Sequence, residues 1–131
     1  MKRMMMVAGA VLALTTHAFA DGDAAKGEKV FKKCAACHAV GEGAKNKVGP
    51  ELNGIVGRTT ASVADYKYSP AMKEKGDEGH VWTAEELDTY LANPKGMVPK
   101  TKMAFAGLKK EDERADVIAY LKTFGADGKA Q

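Results

Sequence analysis

Cys34, Cys37 and His38 carry the most chemical information in this chain of 131 residues. Two thiols three residues apart, followed at once by an imidazole, can hold a porphyrin through two thioether bonds and present a ring nitrogen to its iron. The spacing Cys34-Ala35-Ala36-Cys37-His38 therefore reads as c-type haem attachment. On a helix, at about 100° per residue, positions 34, 37 and 38 fall within one arc of roughly 100°, so both sulfurs and the ring face the same way. Other uses of these residues explain less. A thioredoxin-like redox pair calls for a βαβ setting that the sequence does not offer. Structural zinc needs four closed ligands, and His80, the one further Cys or His after the first twenty residues, stands alone in an acidic, Gly-rich segment. A disulfide across two intervening residues closes too small a loop to stabilise much, and it leaves His38 without a role.

A second axial ligand decides whether such a haem carries electrons or binds small molecules. Met72, Met97 and Met103 offer thioethers, and His80 offers an imidazole. Reach along the chain does not choose among them, and a single Met is most often a core filler. Met103 stands out because the preceding Pro99-Lys100-Thr101-Lys102 has few apolar residues, so a buried Met there needs a reason.

Positioning these groups falls to one small domain. Met1-Lys2-Arg3 is a short basic stretch, Met4 to Leu14 is almost unbroken apolar sequence, and Ala18-Phe19-Ala20 has the small-x-small form of a signal-peptidase site. Residues 1–20 read as an export signal, cleaved to leave a single domain over 21–131. A permanent membrane anchor needs about 20 apolar residues, and this run is interrupted at Thr15-Thr16-His17. Thioether attachment needs reduced cysteines delivered outside the cytoplasm, so leader and motif both point to a periplasm. A chain this short buries a modest core, and with one Trp, four Tyr and four Phe its own aromatic content is low. A covalent porphyrin would supply the missing apolar centre, which predicts that the apo chain is largely unfolded.

Asp23 is an N-cap candidate for helical sequence running to His38, with Val30, Phe31 and Cys34 on one face. Gly27 inside it costs about 1 kcal/mol relative to Ala and predicts close approach of another backbone. Gly41 to Ser62 reads as a long loop packed over the haem edge. Ser69-Pro70 opens a short helix that Gly76 ends. Thr83-Ala84-Glu85-Glu86 is a capping box for a helix with Leu87, Tyr90 and Leu91 on one face, stopped by Pro94. The last helix runs from Glu111 to Phe124 with Val117, Ile118, Leu121 and Phe124 as its stripe. No run alternates as a strand would, so the class is all-α with long loops.

Gly49-Pro50, Gly57-Arg58, Tyr68, Trp82, Tyr90-Leu91, Asn93-Pro94-Lys95, Thr101-Lys102-Met103-Ala104-Phe105-Ala106-Gly107 and Ile118-Ala119-Tyr120-Leu121 occur in the order found in class I c-type cytochromes. Over residues 22–122 the chain resembles the bacterial cytochrome c2 and mitochondrial cytochrome c group. The resemblance implies a small helical fold wrapped around one covalent haem, with the first and last helices crossing. It implies thioethers at Cys34 and Cys37, axial ligation by His38 and Met103, and a Pro50 carbonyl that accepts a hydrogen bond from His38 and fixes its tautomer. A buried haem propionate would take donors from Arg58, Tyr68 and Trp82, since a carboxylate is not buried without them. Tyr90 would stand near the Met ligand and Phe105 beside the haem edge. Departures from eukaryotic members are Met72 where Asn is common, Met97 in place of an aromatic, Lys100 in place of Gly, and a longer Gly76 to Trp82 segment that holds Asp77, Glu78 and His80.

The formal net charge of +3 falls close to neutral once the leader and two haem propionates are counted. Distribution says more. Lys95, Lys100, Lys102, Lys109 and Lys110 lie in an acid-free stretch and Lys32 and Lys33 precede the haem cysteines, so Lys32, Lys33, Lys95, Lys100 and Lys102 are candidates for docking on acidic redox partners. An exported, nearly neutral chain is a poor match for nucleic acid. The reading is a soluble, monomeric periplasmic carrier of one electron by Fe(III)/Fe(II) exchange, without enzymatic bond-breaking, that takes electrons from a cytochrome bc-type complex and passes them to an oxidase or photosynthetic reaction centre. The competing reading is a haem enzyme or gas binder with an open iron position, which would call for a catalytic distal His or a second haem motif.

Overall fold

In the computed structural model, which describes Gly9 and residues 22–131, Asp23 opens the first helix by accepting the Lys26 N–H on its side chain. The Met1–Ala20 leader, Gly9 apart, and its cleavage site lie outside the described residues. Helix α1 spans Ala24–Phe31, α2 Pro70–Asp77, α3 Ala84–Ala92, α4 Pro94–Met97 and α5 Glu111–Lys122. Among the described residues the only ladder pairs are two isolated bridges, Thr59 with Val81 and Phe124 with Ala130. All five regular elements are helices, as expected of the all-α class.

Helices α1 and α5 cross with their main chains in direct approach. A Cβ at Gly27 would fall on the Asp116 carbonyl and on Tyr120, which is the close contact that the misplaced glycine predicts. The Asp116 carboxylate accepts the Asp23 N–H at 2.8 Å, and the Phe31 and Tyr120 rings pack at 5.5 Å. Val117, Ile118 and Leu121 face inward from α5 against Phe31, Leu87 and Leu108, forming one apolar core.

Four boundaries differ from those predicted. The regular part of α1 stops at Phe31, and the cysteines sit on successive tight turns in which Cys34 O accepts the N–H groups of Cys37 and His38. Helix α2 runs past Gly76 because the residue with left-handed backbone is Gly79, φ 85°, which supplies the C-terminal turn instead. Pro94 ends α3 but also begins α4 as its first residue, with the Asn93 side chain accepting the Gly96 N–H at 3.1 Å. Phe124 lies beyond α5, in the bridge to Ala130. The capping box is half made: Thr83 accepts the Glu86 N–H, whereas the Glu86 carboxylate turns to His80.

Candidate haem site

Between α1, α3, α5 and the loops over 48–72 and 101–105 lies a cavity of about 260 Å³ with mainly apolar walls. Cys34, Cys37, His38 and Met103 all line it. Both thiols are free, half-buried and unbridged. Burial pushes the Cys34 thiol up from its ordinary value, reinforced by Cys37 and opposed by Lys33, so the sulfur stays protonated.

His38 is held from two sides. Its Nδ1 lies 2.8 Å from the Pro50 carbonyl, and because a carbonyl only accepts, Nδ1 carries the proton and Nε2 keeps its lone pair. Gly49 permits the arrangement, since a Cβ there would fall on the imidazole. Burial holds the ring below the usual histidine range, with the Pro50 bond opposing and the Arg58 charge assisting, so His38 is neutral and able to ligate a metal.

The four possible partners of that ring separate in space. Met72 and Met103 line the cavity, whereas Met97 on α4 packs against the outer core and His80 lies behind Trp82. Met103 is fixed by its own N–H, donated to Thr101 Oγ1 at 3.2 Å, and Tyr90 Oη stands 3.1 Å from that hydroxyl and 3.9 Å from Met103 Sδ. Burial raises the Tyr90 phenol, which keeps it a neutral donor.

Arg58, Tyr68 and Trp82 meet on the same cavity. Arg58 Nη1 bonds to the carbonyls of Glu51, 2.9 Å, and Asn53, 3.1 Å, and lies 3.4 Å from the Glu51 carboxylate. Tyr68 Oη accepts the Val63 N–H at 3.1 Å, leaving its own proton to give. Every fully buried side-chain nitrogen or oxygen among the described residues has a partner, and Trp82 lines the cavity with Arg58 and Tyr68. Apolar walls, two thiols, a neutral imidazole, a thioether and donors for a carboxylate fit a haem.

The lysines are less uniform. Lys33 and Lys102 line the cavity rim, while Lys32, Lys95 and Lys100 are exposed elsewhere. Lys33 is paired with Glu113 at 3.6 Å, and Lys102 Nζ donates to the Lys67 carbonyl at 3.1 Å. Several contributors lack a sequence signal. Lys47 Nζ donates to the Ala35 carbonyl inside the cysteine turn, Glu51 braces Arg58, and Tyr66 donates to the Val48 carbonyl at 2.7 Å while packing edge-on against Tyr68. Val48, 74 % exposed, sits at the cavity mouth.

A family model described as Cytochrome c matches residues 24–125. Cytochrome c-550 of Ancylobacter novellus is 64 % identical over 104 residues, covering 79 % of this chain and 97 % of that protein. Cytochrome c2 of Afifella marina is 58 % identical over 104 residues, 79 % of this chain and 84 % of its own. The solved structure of cytochrome c2 from Rhodospirillum centenum superposes with a TM-score of 0.75 at 43 % identity, over 79 % of this chain and 99 % of that one. Since the family match spans most of the chain and includes every wall of the cavity, this chain belongs to the cytochrome c family and takes one covalent c-type haem.

Proposed function

We propose that the protein is a soluble periplasmic one-electron carrier in which Cys34 and Cys37 hold the haem, His38 and Met103 occupy its two axial positions, and a lysine-bearing rim meets acidic redox partners. The observation that carries the reading is the convergence of His38 and Met103 on one cavity, the imidazole oriented by the Pro50 carbonyl and the Met103 main chain tied to Thr101. The haem supplies the Fe(III)/Fe(II) couple. Around it, the Pro50 carbonyl holds the ring in the tautomer that ligates, and Thr101 and Tyr90 hold the thioether loop. Arg58, Tyr68 and Trp82 offset the cost of burying a propionate. Ligation by the His38 imidazole and the Met103 thioether would keep small ligands off the iron and raise its potential. Relatives named cytochrome c2 and cytochrome c-550 support the carrier role, and the partners that role calls for are a donor of the cytochrome bc type and an oxidase or photosynthetic reaction centre as acceptor.

Intact mass and electrochemistry on protein from a host that attaches haem test this together. The expected product begins at Asp21, is heavier than its polypeptide by one haem, cycles reversibly by one electron, and does not bind carbon monoxide when reduced. Retention of Met1–Ala20 would contradict a soluble carrier, and ready carbon monoxide binding would indicate an open iron position.

A further inference from the structure

We propose that residues 124–131, which follow α5, are a positioning element for the axial imidazole: doubled back on themselves, they hold the 39–54 loop against His38 and keep the Pro50 bond closed. The inference rests on the haem reading above. None of the described residues beyond Leu121 lines the cavity, so this segment touches the site only through its neighbours. Its own shape is nonetheless closely specified. Phe124 bridges to Ala130, the Gln131 N–H donates to the Thr123 carbonyl at 2.9 Å, and the Gly125 N–H donates to the Lys129 carbonyl at 2.9 Å. Asp127 accepts the Lys129 N–H at 3.0 Å, and Gly125 and Gly128 are buried.

The loop that this segment meets is the one that carries Pro50. Two main-chain bonds bracket His38: the Gly49 N–H donates to Cys37 O at 2.9 Å and the Leu52 N–H to Ala39 O at 3.0 Å. Between those rungs the Pro50 carbonyl takes the His38 Nδ1–H. Asn53 makes the next rung, accepting the Gly41 N–H at 2.8 Å and donating to the Gly41 carbonyl at 2.9 Å. There the segment closes on both strands of the loop. The Gly54 N–H donates to Phe124 O at 3.1 Å, with Ala126 packed against Gly54. On the other strand Gly128, at φ 79°, lies so close that a Cβ would fall on the Gly41 carbonyl and the Glu42 nitrogen.

The loop needs such a brace because it buries little of its own. Among the apolar side chains from Gly41 to Gly54, Leu52 alone packs on the core, and Val48 is exposed. A segment with few buried apolar contacts opens easily unless something else ties it down. Residues 124–131 supply the tie through main-chain contacts at Gly41 and Gly54, one rung from the bracket around His38. A carbonyl bond to Nδ1 makes the imidazole a stronger donor through Nε2, which favours Fe(III) and lowers the potential. Loosening of the segment is therefore read at the site as a weaker Pro50 bond and a higher potential. The Met103 loop makes no hydrogen bond to the segment among the described residues, so its ligation is left undisturbed.

The test compares the haem-loaded wild type, Gly128→Val, a chain that stops at Gly125, and Lys129→Ala, which alters only an exposed side chain of the same segment. The midpoint potential is measured, and solvent exchange of the His38 Nδ1–H is followed by NMR in the ferrous form. Gly128→Val and the shortened chain should raise the potential and speed ring-proton exchange about tenfold, as expected when a loop loses one hydrogen bond's share of local protection. The absorption band of ferric iron bound to a thioether should stay unchanged in both, and Lys129→Ala should match the wild type. In the wild type the Gly54 N–H and the His38 Nδ1–H should lose protection together as denaturant is added. Unchanged potential and ring-proton exchange in both disrupted variants would overturn the inference. So would loss of the thioether band alongside them, which would reduce the segment to general scaffolding. The wild-type exchange decides the matter even if a variant does not fold, since a Gly54 N–H that exchanges freely while the His38 proton stays protected also overturns it. Failure of the haem reading would show separately, as an intact mass without the cofactor.

Discussion

The crossing of α1 with α5 and the wall around the cavity are built on different terms. At the crossing, helix backbones meet: Gly27 sits against the Asp116 carbonyl and no side chain adapts between them. Along the wall, loop backbone is held by side chains reaching across the sequence, as Tyr66 reaches Val48 and Asn53 reaches Gly41, while Arg114 ties the nearby Leu108 and Lys109 carbonyls to the distant Asp88. The crossing is a rigid frame specified by small residues and helical periodicity, whereas the wall is an array of separate polar tethers around a site that the chain alone does not fill. Damage to the frame should therefore be all-or-none for stability, and damage to the wall graded and visible first at the site.

The harshest way to break that contrast is Gly27→Val. The new side chain would overlap main-chain atoms that have nowhere to move, so the haem-loaded protein should lose about 3 kcal/mol, read by denaturant unfolding, with the spectrum of the surviving folded fraction normal. A loss near zero would mean that the helices slide apart freely.

Arg114→Ala strikes the wall from behind. Arg114 Nε lies 2.6 Å from Asp88, and Nη1 bonds to the Leu108 and Lys109 carbonyls, closing the Met103 loop onto α3 and α5. Removal should cost about 1–3 kcal/mol and should weaken Met ligation on heating before global unfolding begins. Simultaneous loss of both would place Arg114 in the frame instead.

What the sequence disclosed follows the same division. Asp23, Ser69 and Thr83 are all the N-caps that their types and spacing predict, because a cap is decided within four residues. The Cys34-Cys37-His38 cluster is equally local. Helix α4 was hidden because a proline that stops one helix can start the next, and the Thr59–Val81 bridge because one pair leaves no alternation. Lys47 and Tyr66 reach backbone carbonyls, and Glu51 meets Arg58, through loops without any period to betray them. That Met97 stands outside the cavity lining needed the cavity itself, since chain reach allowed all three methionines.

The smallest effects are expected from surface charges, Lys102 at the cavity rim and Lys100 exposed two residues before it. Reversing Lys100 and Lys102 to Glu should slow electron transfer to a physiological partner at low salt in a graded way, with ligation intact, since exposed charges act weakly and are screened as the Debye length falls from about 30 Å at 0.01 M salt to about 10 Å at 0.1 M. Lys75→Glu and Lys129→Glu should do much less. Equal slowing by all four reversals, or a rate indifferent to salt, would refute a local docking face.

The central claim is that the wall delivers Met103, and neither Met72 nor Met97, to the iron facing His38. The weak long-wavelength absorption band of ferric iron bound to a thioether reports this most directly, recorded side by side for Met103→Ala, Met72→Ala and Met97→Ala. The band should vanish in the first, with a lowered potential and ready cyanide binding, and persist in the other two. Its survival in Met103→Ala, or its loss in Met72→Ala with Met103 untouched, would contradict the account.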